Sequence, residues 1–228
     1  MKINQALTIS LFLFCVAGAA IAQSVADLPE IGARYVTTVA QTGKAAHATD
    51  WIFLRSASRV ERRHLQEAEG VAWQRTQTGS VYYERLFPAD RKIVEYTPGE
   101  LRALDFKSNW QTVATLVDEH AMRTKLTARG IADFNGKRAT RFAGQYGETA
   151  IEIIWIDEDR IPASIREQTA GKIVETRLSE TCPLAQCPWQ LTHTGGFVRI
   201  DYADLGDMEN DPFVSRIAAS SHGHAPDH

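Results

Sequence analysis

The chain reads as an α+β fold that is mainly β: a strongly curved antiparallel sheet with one or two helices packed on its concave face. Three observations carry this expectation. Short runs of strand-forming residues alternate with turn residues roughly every 8–12 positions across most of the interior. One segment, Ser108 to Val117, breaks that rhythm with helical spacing. A third run, Thr149 to Ile156, is apolar on both of its faces. Such a strand needs cover on both sides, and therefore a sheet that bends around something.

The elements follow in order. A short helix is expected around Val25 to Ala33, limited by Pro29 and Gly32. Asp50 to Leu54 begins the first strand, Ser58 to Leu65 pairs with it, and Gly70 to Gln77 alternates weakly around Val71 and Trp73. Thr78-Gly79 turns the chain into Ser80 to Phe87, where Val81, Tyr83 and Phe87 share one face and Tyr82, Glu84 and Leu86 the other. Pro88-Ala89-Asp90 is the next turn, and the short strand Arg91 to Tyr96 ends at the turn Pro98-Gly99.

Ser108 and Gln111 have the spacing of a capping box, and Trp110, Val113, Leu116 and Val117 then form one apolar helical stripe. Strands resume from Thr124 to Phe134, and Asn135-Gly136 is the strongest short-range hairpin signal in the chain. Lys137 to Ala143 and Thr149 to Ile156 flank a turn at Gln145-Tyr146-Gly147. Within the second of these, Ile151, Ile153 and Trp155 alternate with Ala150, Ile154 and Ile156. Asp157-Glu158-Asp159 leads into Arg160 to Gln168, and Thr169-Ala170-Gly171 into Lys172 to Leu178. Phe197 to Tyr202 adds a last strand before an acidic loop, Asp201 to Asp211, which does not match the ligand spacing of a calcium loop. Residues from Ala218 onward read as a disordered tail.

Residues 1–22 have the order of a secretory signal: Lys2, an apolar run from Ala6 to Val16, and Ala20-Ile21-Ala22, with cleavage expected after Ala22. The run is too short for a comfortable membrane span, which takes about 20 residues. Cys15 follows Phe14, where a lipoprotein signal wants a small residue. The expectation is an exported periplasmic protein with one domain over residues 23–217 and a tail over 218–228, without stable membrane insertion. A formal charge of −3, with basic residues dispersed, argues against nucleic acid as a partner.

After the leader only Cys182 and Cys187 remain of three cysteines. In an oxidising compartment they read as one local disulfide that pins a turn. A redox-active pair is the alternative, although the usual C-x-x-C spacing is missing. No Gly-x-Ser-x-Gly elbow, His-Glu-x-x-His, phosphate loop or dinucleotide turn occurs, so neither an enzyme nor a cofactor is expected. His222, His224 and His228 are weak candidates for metal binding in the tail. Trp51, Phe53, Trp73, Tyr83, Trp110, Ile153 and Trp155 are each ordinary core residues by type, yet as a set they suit a large apolar pocket for a hydrophobic ligand.

The stretch from Asn135-Gly136-Lys137-Arg138-Ala139 to Glu180 resembles the outer-membrane lipoprotein carrier (LolA/LolB-like) superfamily. The likeness lies in Ile154-Trp155-Ile156-Asp157, then Ile161-Pro162, then the Gly171-Lys172 turn. It implies an incomplete antiparallel barrel with helices plugging the concave side. It also implies an exported non-enzyme whose partner is a lipid, an acyl chain or a lipid-modified protein. The Cys pair, the acidic loop and the histidine tail depart from that pattern. A divergent relative serving another apolar ligand, or a regulatory module holding an envelope protein, therefore stays open.

Overall fold

The computed structural model describes residues 28–65, 69–104, 106 and 109–221. The expected leader, Ser108 of the capping box and His222, His224 and His228 lie outside the described residues. The first six strands are β1 (Ile31–Gln41), β2 (His47–Arg55), β3 (Arg59–His64), β4 (Gly70–Arg75), β5 (Val81–Phe87) and β6 (Lys92–Tyr96). Three helices follow: α1 (Pro98–Ala103), α2 (Trp110–Thr115) and α3 (Glu119–Lys125). The second run of strands is β7 (Thr127–Phe134), β8 (Lys137–Tyr146), β9 (Thr149–Ile156), β10 (Ile161–Thr169) and β11 (Lys172–Pro183). The chain closes with β12 (Val198–Asp201) and α4 (Pro212–Ser221).

All twelve strands belong to one sheet, in the order β12-β6-β5-β4-β3-β2-β1-β11-β10-β9-β8-β7. The ends, β12 and β7, do not meet, so the curved sheet is an incomplete barrel. Meander connections make the pairs antiparallel, with one correction to the expected all-antiparallel sheet. β12 arrives by a long excursion from β11 and lies parallel to β6. Such a parallel pairing needs a long crossover between its two strands, and everything from residue 97 to residue 197 lies between them.

Of the helix expected at Val25 to Ala33, residues 25–27 lie outside the described residues and the rest is not helical. Ile31 to Ala33 instead open β1, which pairs with both β2 and β11. The run Val36-Thr37-Thr38-Val39 is β-branched, and neighbours on both sides favour a strand there over a Pro- and Gly-limited helix. Gly32 is needed because a Cβ at that position would lie 2.5 Å from Cys187 Sγ. At Pro98-Gly99 the expected turn is the start of α1, capped reciprocally by Thr97 and Glu100. The single helix expected through Val117 is split. Asn109 caps α2, Leu116 takes a left-handed φ of 66°, and Asp118 caps α3. The acidic stretch is likewise more than a loop: Tyr202–Met208 is a 3-10 helix. α4 extends to Ser221, so the first four residues assigned to the tail are helical. The Asn135-Gly136 hairpin is as expected, with φ of 52° and 80°.

Parity along β9 sorts its side chains between two cores. Ile156, with Ile154 partly buried, joins the main cluster of Ile31, Ala33, Tyr35, Phe53, Val60, Trp73, Trp110 and Val113. Ile153 and Trp155 pack instead with Met122 of α3 and Phe142 of β8. Both faces of this strand are thus covered, as its composition requires. A third cluster seats α4, through Phe213, Val214 and Ile217, on Phe87, Val94 and Tyr96.

Candidate functional site

The inner wall is built by alternation. On β2, Trp51, Phe53 and Arg55 share a face, continued by Val60 and Arg62 on β3, Val71, Trp73 and Arg75 on β4, and Val81, Tyr83 and Arg85 on β5. Five of the seven expected pocket residues come together here: Trp51, Phe53, Trp73, Tyr83 and Trp110. Phe53 is fully buried, whereas Trp51 and Tyr83 keep some exposure. Ile153 and Trp155 are separated from them in the α3 cluster, with Trp155 fully buried.

Ring contacts give the wall its order. Trp51 stacks on Tyr35 at 4.7 Å and donates its indole N–H to Thr37 Oγ1 at 2.9 Å. Tyr83 touches Trp73, Tyr96 and Phe106 at centroid distances of 5.3, 5.2 and 5.2 Å. Burial pushes the Tyr83 phenol up to about 12 and raises that of Tyr35 as well. Tyr35 reaches past β11 to donate to the Pro162 carbonyl at 2.9 Å.

Charged side chains fasten α2 over this wall and α3 to the β9–β10 turn. Arg55 is almost completely buried and donates to four carbonyls, of Pro29, Ala114, Asp159 and Arg160. Desolvation lowers its pKa to about 10. Its bond to Ala114 ties the end of α2 to β2, and its bonds to 159 and 160 tie in the β9–β10 turn. Glu119 of α3 accepts from Arg160 Nη2 at 2.5 Å, fixing the same turn to the second helix.

The opposite face combines a small apolar cluster, Ala72, Leu86 and Ile93, with an organised polar network. The Cys182–Cys187 disulfide is formed, and residues 188–197 then cross the outside of β3–β5. Glu61, fully buried, accepts from the Thr192 amide at 3.1 Å and from its hydroxyl. Arg63 donates to the Gln190 carbonyl at 2.6 Å. Under this strap runs a charge ladder. Arg63–Glu61 is 3.1 Å, Arg59–Glu84 2.8 Å and Arg199–Glu84 3.0 Å, and Arg199 also pairs with Glu95. A crevice of about 560 Å³ opens beside it, lined by Arg59, Gln74, Tyr82, Glu95, Thr194 and Arg199 among others. Its lining alternates in charge, unlike a site for an acyl chain.

Sequence reasoning ranked the aromatics and overlooked the arginines. The signal was available: Arg62 has the parity of Val60, so an apolar face carries a cation. Among the described residues no group of three or more His, Cys, Asp or Glu is placed to hold a metal ion. Among the same residues no helix is long and apolar enough to cross a membrane.

No protein-family model matches the chain, and no curated protein does. Solved structures similar to it include PNGF-II, at 8% identity over 80% of this chain and 33% of that one, with a TM-score of 0.40. The MucA/MucB complex of Pseudomonas aeruginosa is similar at 9% identity, over 69% of this chain and 53% of that one, with a TM-score of 0.40. A LolA superfamily protein from Nitrosomonas europaea is similar at 7% identity, over 75% of this chain and 91% of that one, with a TM-score of 0.36. The chain thus spans about a third of the PNGF-II chain and about half of the MucB-containing one. A member of the carrier superfamily noted from the hairpin motifs is thus one of the similar structures.

Proposed function

We propose that this protein is an exported, non-enzymatic binding protein of the periplasm that holds a hydrophobic ligand, a lipid or acyl chain, against the concave wall of its incomplete barrel. The observation that carries the reading is the aromatic wall itself. Trp51, Phe53, Trp73, Tyr83 and Trp110 meet in one cluster, and two of them stay partly exposed. Aromatic and aliphatic lining with few polar groups is the usual form of a site for an acyl chain. The disulfide supports an oxidising compartment. Ten buried methylenes contribute roughly 8 kcal/mol before ordering costs, enough for micromolar binding.

Native mass spectrometry of protein purified gently from its own envelope tests this. An added mass that solvent extraction identifies as lipid supports the reading. An apo mass that takes up no lipid from mixed micelles refutes it.

A second reading, a module that holds a protein partner in the envelope, is favoured by the outer end of the sheet. β7 is an edge strand exposed along most of its length, with Ile131 at 67% exposure. An open edge of that kind pairs readily with an extended segment of another chain. Recovery of a stoichiometric partner that is lost on Ile131→Lys supports this alternative.

A further inference from the structure

The inner face of β3 and β4 carries donors without acceptors. Strand pairing sets Arg62 opposite Val71 and Val71 opposite Arg85, so two guanidiniums flank one valine in a row across three strands. Arg85 has a counter-ion: its Nη2 lies 3.4 Å from Glu69. Arg62 makes no hydrogen bond or ion pair among the described residues. Its Nε is sealed from solvent without an acceptor, and its guanidinium lies 5.0 Å from the Trp73 ring. Desolvation lowers its pKa to about 10. Arg75, two residues beyond Trp73 on the same face, repeats the arrangement 5.0 Å from the Trp110 ring, again with no ion pair among the described residues. The indole N–H groups of Trp73 and Trp110 are buried and unpaired as well.

Donors elsewhere on this wall are satisfied. Arg55 reaches four carbonyls and Trp51 reaches Thr37. On this wall the sealed donors without acceptors are Arg62 Nε and the indole N–H groups of Trp73 and Trp110, while others, such as Trp155 Nε1 and Arg160 Nη1, lie away from it. A partly buried cation without an anion is costly, and ring contacts offset only part of that cost. A planar guanidinium beside indole donors matches an oxyanion, a carboxylate or phosphate, which accepts several N–H bonds at once. The surroundings, Phe53, Val71 and Tyr83, are apolar, so a free hydrated anion gains little there whereas an anion on a hydrocarbon chain gains on both counts.

Building on the apolar-ligand reading above, we propose that this patch seats the anionic headgroup of an amphiphile, with Arg62 as its principal contact, Trp73 as a neutral donor, and the acyl chain laid along the aromatic wall. The ligand class is thereby narrowed from any lipid to acidic ones, fatty acids or alkyl phosphates.

The test compares probes of equal chain length on the full chain: laurate, dodecyl phosphate and neutral dodecanol, with inorganic phosphate alone as a fourth. Affinity is read by tryptophan fluorescence. The expected result is that both anionic probes bind at least tenfold more tightly than dodecanol and that inorganic phosphate does not bind. Arg62→Met brings the three chains to equal affinity, and Arg62→Lys retains part of the preference. The wild-type comparison stands by itself if Arg62→Met fails to fold, and Arg75→Met then serves as the second variant. Equal binding of charged and neutral chains by the wild type overturns the headgroup seat and leaves the apolar-ligand reading intact. Failure of every chain to bind overturns both. Binding of inorganic phosphate as tight as that of dodecyl phosphate replaces the amphiphile by a free oxyanion.

Discussion

Replacing Arg55 by methionine removes a guanidinium that fastens four segments together while keeping much of its apolar stem. The bonds lost are those to Pro29 at 2.9 Å, Ala114 at 2.7 Å, Arg160 at 3.3 Å and Asp159 at 2.6 Å. A hydrogen bond from a charged donor contributes roughly 1.5–3 kcal/mol net, and breaking one side of a buried charged network costs about 3–5 kcal/mol. The four bonds share one donor group and do not add. Methionine also escapes the desolvation that lowers the arginine's pKa to about 10. The lower end, about 3 kcal/mol, is therefore expected, against a total stability of roughly 5–15 kcal/mol for a domain. With a urea slope of about 2 kcal/mol/M the midpoint falls by about 1.5 M. Hydrogen exchange should at the same time accelerate in Trp110–Thr115, because Ala114 loses its tie to β2. A midpoint shift below about 0.3 M with an unchanged slope would refute the claim that Arg55 holds α2 and the β9–β10 turn on the sheet.

Three further outcomes are expected. Gly32→Ala places a methyl 2.5 Å from Cys187 Sγ and 3.1 Å from Leu54 Cδ2, so thermal unfolding should show a loss of about 1–3 kcal/mol; the loss should shrink in a Cys182→Ala/Cys187→Ala background, and an unchanged loss there would remove the disulfide as its cause. Replacing both cysteines by serine should cost about 2 kcal/mol in chemical denaturation, the value for a very short loop, with exchange protection lost mainly in residues 188–197; protection lost across β1 instead would mean that the bridge holds the sheet and not the strap. Unfolded tyrosines ionise near pH 10, whereas Tyr83 keeps its proton to about 12 and Tyr35 is also raised. The folded state then binds more protons than the unfolded one above pH 10, so their stabilisation is complete below that pH and is lost as pH rises towards 12. Phenolate absorbance that reached its full value before the fold melted would contradict this.

How much was legible beforehand differs from element to element. Where a signal is local, reading it worked: Asn135-Gly136 needs two positive φ values and has them, β9 begins and ends at Thr149 and Ile156, and Cys182 bonds Cys187. Where the deciding contact is distant, it did not. A short helix limited by Pro29 and Gly32 was expected, yet β1 lies between β2 and a strand some 150 positions away in sequence, with Gly32 opposite Cys182. Trp110 to Val117 has one unbroken apolar period, yet Leu116 turns left-handed and Thr115 caps inward, its hydroxyl donating to the carbonyls of Gln111 and Val117. The aromatic wall was readable from residue type, but its division was not: Ile153 and Trp155 share a face that α3 claims, while Ile154 and Ile156 join the main core.

By itself the amino-acid sequence determined the strand rhythm, the turns, the disulfide and the alternation that puts Arg62 on an apolar face, because each depends on residues within a few positions of one another. Tertiary structure alone decided which arginines find partners. Arg55 and Arg62 both sit on strands of the inner wall with buried nitrogen atoms, and nothing in their local sequence separates them. One meets the carbonyls of α2 and the β9–β10 turn, and the other, among the described residues, meets the face of Trp73 and no hydrogen-bond acceptor. Partner choice is a matter of which distant backbone the curvature brings within hydrogen-bond reach, and that is set by the closing of the sheet around its helices.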